Sequence, residues 1–253
     1  MQINPQLQAT YDSQYLNQQQ EWRTIGAKYK FENIKNITQN QTFETVIEIG
    51  AGDGSILALM NEYPNFSRLY AVEISTSGLE AINQRKLSKL EQASLFDGYK
   101  THYPDDFFDL AILSHVLEHV EYERPLLREM KRISKNQIIE VPRDYRFDAD
   151  KRIKHYLNYG HINLYTPTSL RFLLKSEGFQ LLKTMALPIP KQVWNYVYNQ
   201  NKKQKTPLKF LKHQLTFWFK TLLSKIPFRL LNEYACNSIT ILCSKGTENI
   251  KIF

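Results

Sequence analysis

Two stretches of this 253-residue chain hold side chains whose types and spacing could do chemistry. The first is Val46-Ile47-Glu48-Ile49-Gly50-Ala51-Gly52-Asp53-Gly54-Ser55. A short apolar run with a carboxylate near its end meets three glycines at alternate positions, a third of the nine in the chain. Glycines clustered between a strand and a helix allow positive φ and let a ligand approach with no Cβ in the way. The helix-like segment that follows, Ile56 to Met60, offers unpaired N–H groups at its start. This is a nucleotide-type binding loop. The second stretch is His115-Val116-Leu117-Glu118-His119. On a helix its histidines would share one face and could hold zinc, with Glu118 as base. The context argues against that: the motif begins at the exit of a buried strand and not inside a long helix. No metal is expected.

What the glycine loop binds is narrowed by its neighbours. Glu73 ends the next apolar run, Leu69 to Val72, at about the distance from Gly52 seen in dinucleotide folds. A carboxylate there can accept hydrogen bonds from both hydroxyls of a ribose. A dinucleotide fingerprint, however, wants G-x-G-x-x-G, and Ser55 stands where its third glycine belongs. No Lys or Arg occurs between Val46 and Asn65, and no G-K-[ST] is present, which argues against ATP or GTP turnover.

The elements that must position these residues follow from periodicity. Strands are expected at 45–49, 69–73, weakly within 90–96, at 108–113, 137–141, 179–185 and 238–243. Helices are expected at 54–62, at 76–86 with Ser75 as cap, after Pro125, and from Pro167 with Thr166 as cap and Gly178 closing it. Strands alternating with helices imply βαβ units, a mainly parallel sheet and an α/β fold. Residues 1–40 read as an N-terminal helical leader or cap, with Trp22, Ile25 and Tyr29 forming an apolar stripe. Residues 41–187 plus 233–245 read as the core, and 188–232 as a basic aromatic helical insert before the last strand.

At this point the chain resembles the class I S-adenosylmethionine-dependent methyltransferases, in their small-molecule branch. The resemblance lies in an ordered set of motifs: Glu48-Ile-Gly-Ala-Gly-Asp-Gly, Tyr70-Ala-Val-Glu-Ile, Phe108-Asp-Leu-Ala-Ile-Leu-Ser-His-Val-Leu-Glu-His-Val, Glu140-Val-Pro, and Gly160-His-Ile-Asn-Leu-Tyr-Thr-Pro-Thr-Ser-Leu. They cover roughly residues 45–185. The resemblance implies a Rossmann-like, doubly wound, seven-stranded sheet with its last strand antiparallel, and S-adenosylmethionine as cofactor. Glu48, Gly50, Ala51, Gly52, Asp53 and Gly54 would line its methionine side. Glu73 and Ile74 would hold the ribose, Asp97 and Gly98 would sit near the adenine, and Ser114 and His115 would face the sulfonium. The cofactor's chemistry suits the loop, because it is a sulfonium cation with a zwitterionic end and no phosphate.

Methyl transfer to a hydroxyl is helped by a base, and a histidine is suited to neutral pH. His119 is the first candidate and His161 the second; Tyr11, Tyr15 and Tyr159 could shape the pocket. Neither an N/D-P-P-Y/F motif nor a nucleophilic cysteine follows the fourth strand, so no nucleic acid is expected as substrate. A small-molecule acceptor remains: a sugar, a lipid-linked glycan or a quinone-like precursor. The alternatives are an NAD-dependent oxidoreductase and a non-catalytic cofactor-binding scaffold.

The net charge of +8 is concentrated, with nine Lys/Arg and no Asp or Glu between Pro188 and Asn232. Within it, residues 208–231 interleave Leu, Phe and Trp with lysines. That segment is expected either to pack as a lid on the sheet or to lie on an anionic membrane. Cys236 and Cys243 read as free thiols near or in the core. The leader lacks the features of a signal peptide and no long apolar run is present, so a cytoplasmic protein is expected, with possible peripheral contact at the inner membrane surface.

Overall fold

The structure, a computed structural model, describes residues 8, 12, 20–39, 41–146, 148–200, 206–226 and 229–246. Tyr11 and Tyr15 lie outside the described residues. Seven strands form one sheet: β1 (Phe43–Ile49), β2 (Phe66–Glu73), β3 (Leu90–Leu95), β4 (Phe108–Ser114), β5 (Ser134–Pro142), β6 (Phe179–Leu187) and β7 (Ser238–Lys245). Their order is β3-β2-β1-β4-β5-β7-β6. β7 runs antiparallel to β5 and β6, and the other pairings are parallel. This is the expected α/β sheet. Its chain reverses direction of travel between β1 and β4, and ligands bind in open α/β sheets at the carboxyl ends of strands at such a point.

The helices are α1 (Gln20–Thr38), α2 (Ser55–Asn61), α3 (Thr76–Gln84), α4 (Glu123–Ile133), α5 (Ile153–Asn158), α6 (Pro167–Ser176), α7 (Lys191–Gln200), α8 (Pro207–Lys225) and α9 (Arg229–Ala235). Strand side chains alternate between the two faces of the sheet. Ile47, Ile49 and Leu113 pack with Leu126, Leu127 and Met130 of α4 and Leu170 and Leu174 of α6. Val46, Leu110 and Ile112 pack on the other face with Phe31 and Ile34 of α1 and Leu57 and Met60 of α2. The leader helix is therefore an integral layer of the core. α3 starts where Ser75 accepts from the Gly78 N–H, and α6 where Thr166 and Ser169 form a reciprocal capping box ahead of Pro167.

The weak third strand is an edge strand with no fully buried residue, so its sequence carries little hydrophobic signal. β5 begins at Ser134, directly after α4, three residues earlier than the apolar run indicates. Cys236 and Cys243 are free and buried, as expected, and burial raises both thiols.

The insert divides in two. α7 lies against α1, where Tyr196 stacks on Trp22 with ring centroids 5.4 Å apart. α8 lies on α7, with His213 stacked on Trp194 at 4.5 Å and Phe217 as its one buried side chain. The lid expectation placed the apolar face of 208–231 on the sheet. Instead Leu208, Leu211, Leu215, Trp218, Phe219 and Leu222 stay exposed, each by more than half its surface. The physical reason is that α7 already occupies the space between α8 and the core. No described helix is long and apolar enough to cross a membrane.

Candidate active site

The carboxyl ends of β1 and β4 open into a cavity of about 590 Å³, within the roughly 300–1,000 Å³ usual for small-molecule sites. The glycine loop forms one wall. Gly50, Gly52 and Gly54 have φ of 71°, 59° and 73°. The Gly50 and Ala51 N–H groups both point to the Val72 carbonyl, at 2.8 and 3.3 Å, which ties the loop to β2. A Cβ on Gly50 would stand 2.6 Å from Val116 Cγ2. Loop and post-β4 segment thus touch, and only glycine fits at their contact.

Glu73 is buried at the end of β2. Its Oε2 accepts from the Gly52 N–H at 2.7 Å and its Oε1 from the Ser75 N–H at 3.1 Å. Burial raises its pKa. Each oxygen keeps a second lone pair, and Glu73 lines the cavity, which suits a pair of ribose hydroxyls. Glu48 is also buried; its Oε2 has no hydrogen-bond partner, and burial pushes the carboxyl up to about 8. Such a group can ionise when a cation arrives beside it. Asp53 lines the cavity but is bridged by Arg23 of α1 at 3.1 Å and by Arg85 at 3.4 Å, and it accepts from the Ser55 N–H at 3.1 Å. It fastens the leader helix over the loop.

The Glu48 geometry has a measurable consequence. At pH 7 the carboxyl is mostly protonated, and a bound sulfonium or ammonium lowers its pKa, so cofactor binding releases a proton. Calorimetry at pH 7 in buffers of different ionisation enthalpy should show release of up to about one proton per site. The release should vanish in Glu48→Gln. No buffer dependence in the wild type would contradict the assignment. The same raised pKa sets a sign for stability. The folded state holds the proton more tightly, so the empty protein loses stability as pH climbs from the ordinary 4.5 through about 8.

The opposite wall begins where β4 ends. His115 is held at φ 56°, with its N–H on the Glu140 carbonyl at 2.8 Å. Ser114 donates to Glu140 Oε2 at 2.9 Å, and Asn33 of α1 donates to Oε1 at 2.5 Å. A single 3-10 turn, Leu117–His119, follows. It is clamped to the 160–165 loop: the Ile162 and Asn163 N–H groups donate to the Glu118 carbonyl at 2.9 and 3.0 Å. Gly160, at φ 71°, has no Cβ to obstruct the His119 ring, and its carbonyl lies 3.0 Å from His119 Nδ1. A carbonyl only accepts, so Nδ1 carries the proton and Nε2 the lone pair. His161 Nδ1 likewise lies 2.6 Å from Asp144 Oδ2, a carboxylate oxygen that accepts its proton. Burial holds His119 down at about 4 and His115 well below its ordinary value, so both are neutral. The His119 and His161 rings meet edge to face at 4.8 Å.

Of the residues expected to bind cofactor, Glu48, Gly50, Ala51, Gly52, Asp53, Glu73, Ile74, Gly98, Ser114 and His115 line this one cavity, as do His119 and His161. Gly54 and Asp97 do not. Asp97 Oδ1 accepts from the Tyr99 and Lys100 N–H groups at 2.9 and 2.6 Å and holds that turn. Its neighbours Phe96 and Tyr99 supply the wall instead. Tyr159 lines the cavity as expected. The H-x-x-E-H pattern does not put His115 and His119 on one helix face, because the segment is a tight turn. It places Glu118 beside His119 and His161.

Sequence reading missed the share of α1. Arg23, Gly26 and Lys30, at i, i+3 and i+7, all face the cavity. The signal was present as a helical stripe of small and basic residues, one position round from the apolar stripe. Lys30 makes no hydrogen bond or ion pair among the described residues, and its charge acts on Glu48, Glu118 and Glu140. With Arg23 it supplies the cations that the glycine loop lacks, as a zwitterionic ligand requires. Asp144, beyond β5, carried no signal.

These residues fit the cofactor that the motifs imply. They provide a hydrogen-bonded carboxylate for a ribose, a buried carboxyl with one oxygen unpartnered for a cation, and no phosphate cradle. Comparison with known proteins agrees. The family described as "Methyltransferase domain" matches residues 19–184. No curated protein matches the chain. Among solved structures, the chain is similar to the Haloferax volcanii complex of the Trm112 methyltransferase activator with a methyltransferase, at TM-score 0.62 and 10% identity over 97% of this chain and 100% of that one. It is similar to Haemonchus contortus phosphoethanolamine N-methyltransferase 2 in complex with S-adenosyl-L-methionine, at TM-score 0.60 and 14% identity, over 85% of this chain and 52% of that one. A SAM-dependent methyltransferase from Aquifex aeolicus aligns at TM-score 0.52 and 12% identity, over 84% and 88%. At these identities the structures speak to the fold, while the family match spans well over half of the sequence. The chain belongs to the class I S-adenosylmethionine-dependent methyltransferases.

Proposed function

We propose that this enzyme methylates a hydroxyl of a small molecule: a sugar, a lipid-linked glycan or a quinone-like precursor. The observation that carries the reading is the imidazole pair. His119 and His161 both line the cavity, and each has its Nδ1 proton committed elsewhere, to the Gly160 carbonyl and to Asp144. Bases are of use to an acceptor that must lose a proton.

When bound, S-adenosylmethionine supplies a methyl group already activated by its sulfonium. Glu73 would hold the ribose, and Glu48 would answer the positive charge. An acceptor oxygen held in line with that methyl group would receive it, and the C–S electron pair would stay on sulfur. His119 or His161 takes the acceptor's proton. Alignment of donor and acceptor supplies much of the rate, and Trp22, Val193 and Val197 give the cavity an apolar wall.

The exposed apolar side of α8, flanked by Lys209, Lys212 and Lys225, favours a lipid-linked acceptor met at an anionic membrane. The test is transfer of labelled methyl to a panel of such hydroxyl compounds, offered free and in anionic vesicles at low and high salt. Methylation of a hydroxyl, stimulated by vesicles at low salt, is expected. Transfer confined to amine acceptors would refute the reading.

A further inference from the structure

Glu118 is a buried cavity carboxylate with neither oxygen hydrogen-bonded among the described residues. It is 1% exposed, and leaving a buried carboxylate without partners is costly. Its backbone is held by the Ile162 and Asn163 N–H groups, which donate to its carbonyl. Its Oε1 lies 3.8 Å from His119 Nε2, and His115 Nδ1 stands 3.4 Å from the same oxygen. The Glu118 carboxylate and one ring nitrogen each of His119 and His161 lie within 4.8 Å of one another.

We infer that Glu118, His119 and His161 form a site for a divalent first-row transition-metal cation. Three features support it. Two imidazoles and a carboxylate are a donor set for such cations, and leave coordination positions open. Each imidazole has its other nitrogen anchored, to the Gly160 carbonyl and to Asp144, in the manner of metal-ligating histidines. And the orphaned carboxylate gains the partner it lacks. Metal–ligand bonds of about 2.0–2.2 Å bring neighbouring donors to about 3–3.5 Å, a contraction that small side-chain rotations on fixed backbones can reach. Lys30 opposes a cation here, and Asp144 behind His161 offsets it.

The open positions face the cavity. There an acceptor hydroxyl can bind the cation and pass its proton to solvent water, leaving an oxygen poised for the methyl carbon. This role rests on the hydroxyl-acceptor reading and replaces direct proton transfer to an imidazole; the site itself does not depend on that reading.

Full-length protein, stripped with a chelator, is titrated with Mn²⁺ while the free ion is followed by electron paramagnetic resonance. One ion per chain with micromolar affinity is expected, displaced by Zn²⁺. Pulsed measurements on the bound ion should show coupling to two imidazole nitrogens. In His161→Ala one coupling should disappear, with affinity at least tenfold weaker. Glu118→Gln should weaken binding at least tenfold with both couplings kept. Unfolding curves of each variant show whether it is folded. His161 is partly exposed, so its variant answers even if Glu118→Gln does not fold. Absence of a stoichiometric ion, or an ion with no imidazole coupling, overturns the site. An ion coupled to two imidazoles upholds it even if no hydroxyl is ever methylated, a failure that would count against the acceptor reading alone.

Discussion

Gly50→Ala is expected to abolish cofactor binding at any accessible concentration and to destabilise the protein by about 2–4 kcal/mol. Two costs combine. The φ of 71° is a left-handed conformation that alanine adopts only with strain. The new Cβ would also sit 2.6 Å from Val116 Cγ2 and 3.3 Å from Cγ1, well inside contact distance. Relief requires the loop to back away from Val116, and the loop carries the Gly52 N–H that orients Glu73. The damage therefore reaches the ribose end as well as the methionine end. Removing the obstacle separates the two costs. The double variant Gly50→Ala/Val116→Ala should recover roughly half of the lost stability, measured by urea unfolding. If Gly50→Ala alone leaves affinity and stability unchanged, the loop does not touch the post-β4 segment as described.

Glu73→Ala is expected to weaken S-adenosylmethionine at least 100-fold with a smaller effect on folding. Two charge-assisted hydrogen bonds to ribose hydroxyls are worth about 1.5–3 kcal/mol each, which is why their loss is so large. The folding effect is milder because two contributions oppose each other. The Gly52 and Ser75 N–H groups lose their acceptor, but a buried carboxylate that burial already disfavours is also removed. Calorimetry with the demethylated product gives the same comparison without turnover. A Kd changed less than threefold would show that Glu73 serves the loop alone.

Much of this was legible in the sequence, for reasons that differ by element. β1, β2 and β4 are buried on both faces, so each reads as a continuous apolar run, and the glycine spacing between β1 and α2 marks the ligand. Edge strand β3 is half solvated and reads weakly for that reason. The site's second half was harder. Glu118 stood inside an H-x-x-E-H string that suggests a helical zinc motif. The decisive contact, Glu118 with His119 and His161, joins residues more than 40 apart through the Gly160 turn. No local periodicity encodes such a meeting. Lys30 and Arg23 were hidden differently. They share α1 with an apolar stripe that dominates the reading, and only the packing of α1 on α2 turns their face toward the cavity. Asp97 shows the converse: a carboxylate in the right place in the sequence, with one oxygen bonded to its own turn and no place in the cavity lining.

The same comparison explains α8. Its mixture of lysines and large apolar side chains suits either a lid or a surface helix. Packing decides, because α7 takes the lid position with Val193 and Val197 and leaves α8 with an outward apolar side.

The central claim is that this cavity holds S-adenosylmethionine, and calorimetry on the wild-type protein with S-adenosylmethionine, its demethylated product and NAD tests it most directly. Micromolar, one-to-one binding of the first two with none of NAD is the expected result. Binding of NAD with neither of the others, by protein shown to be folded, would contradict it.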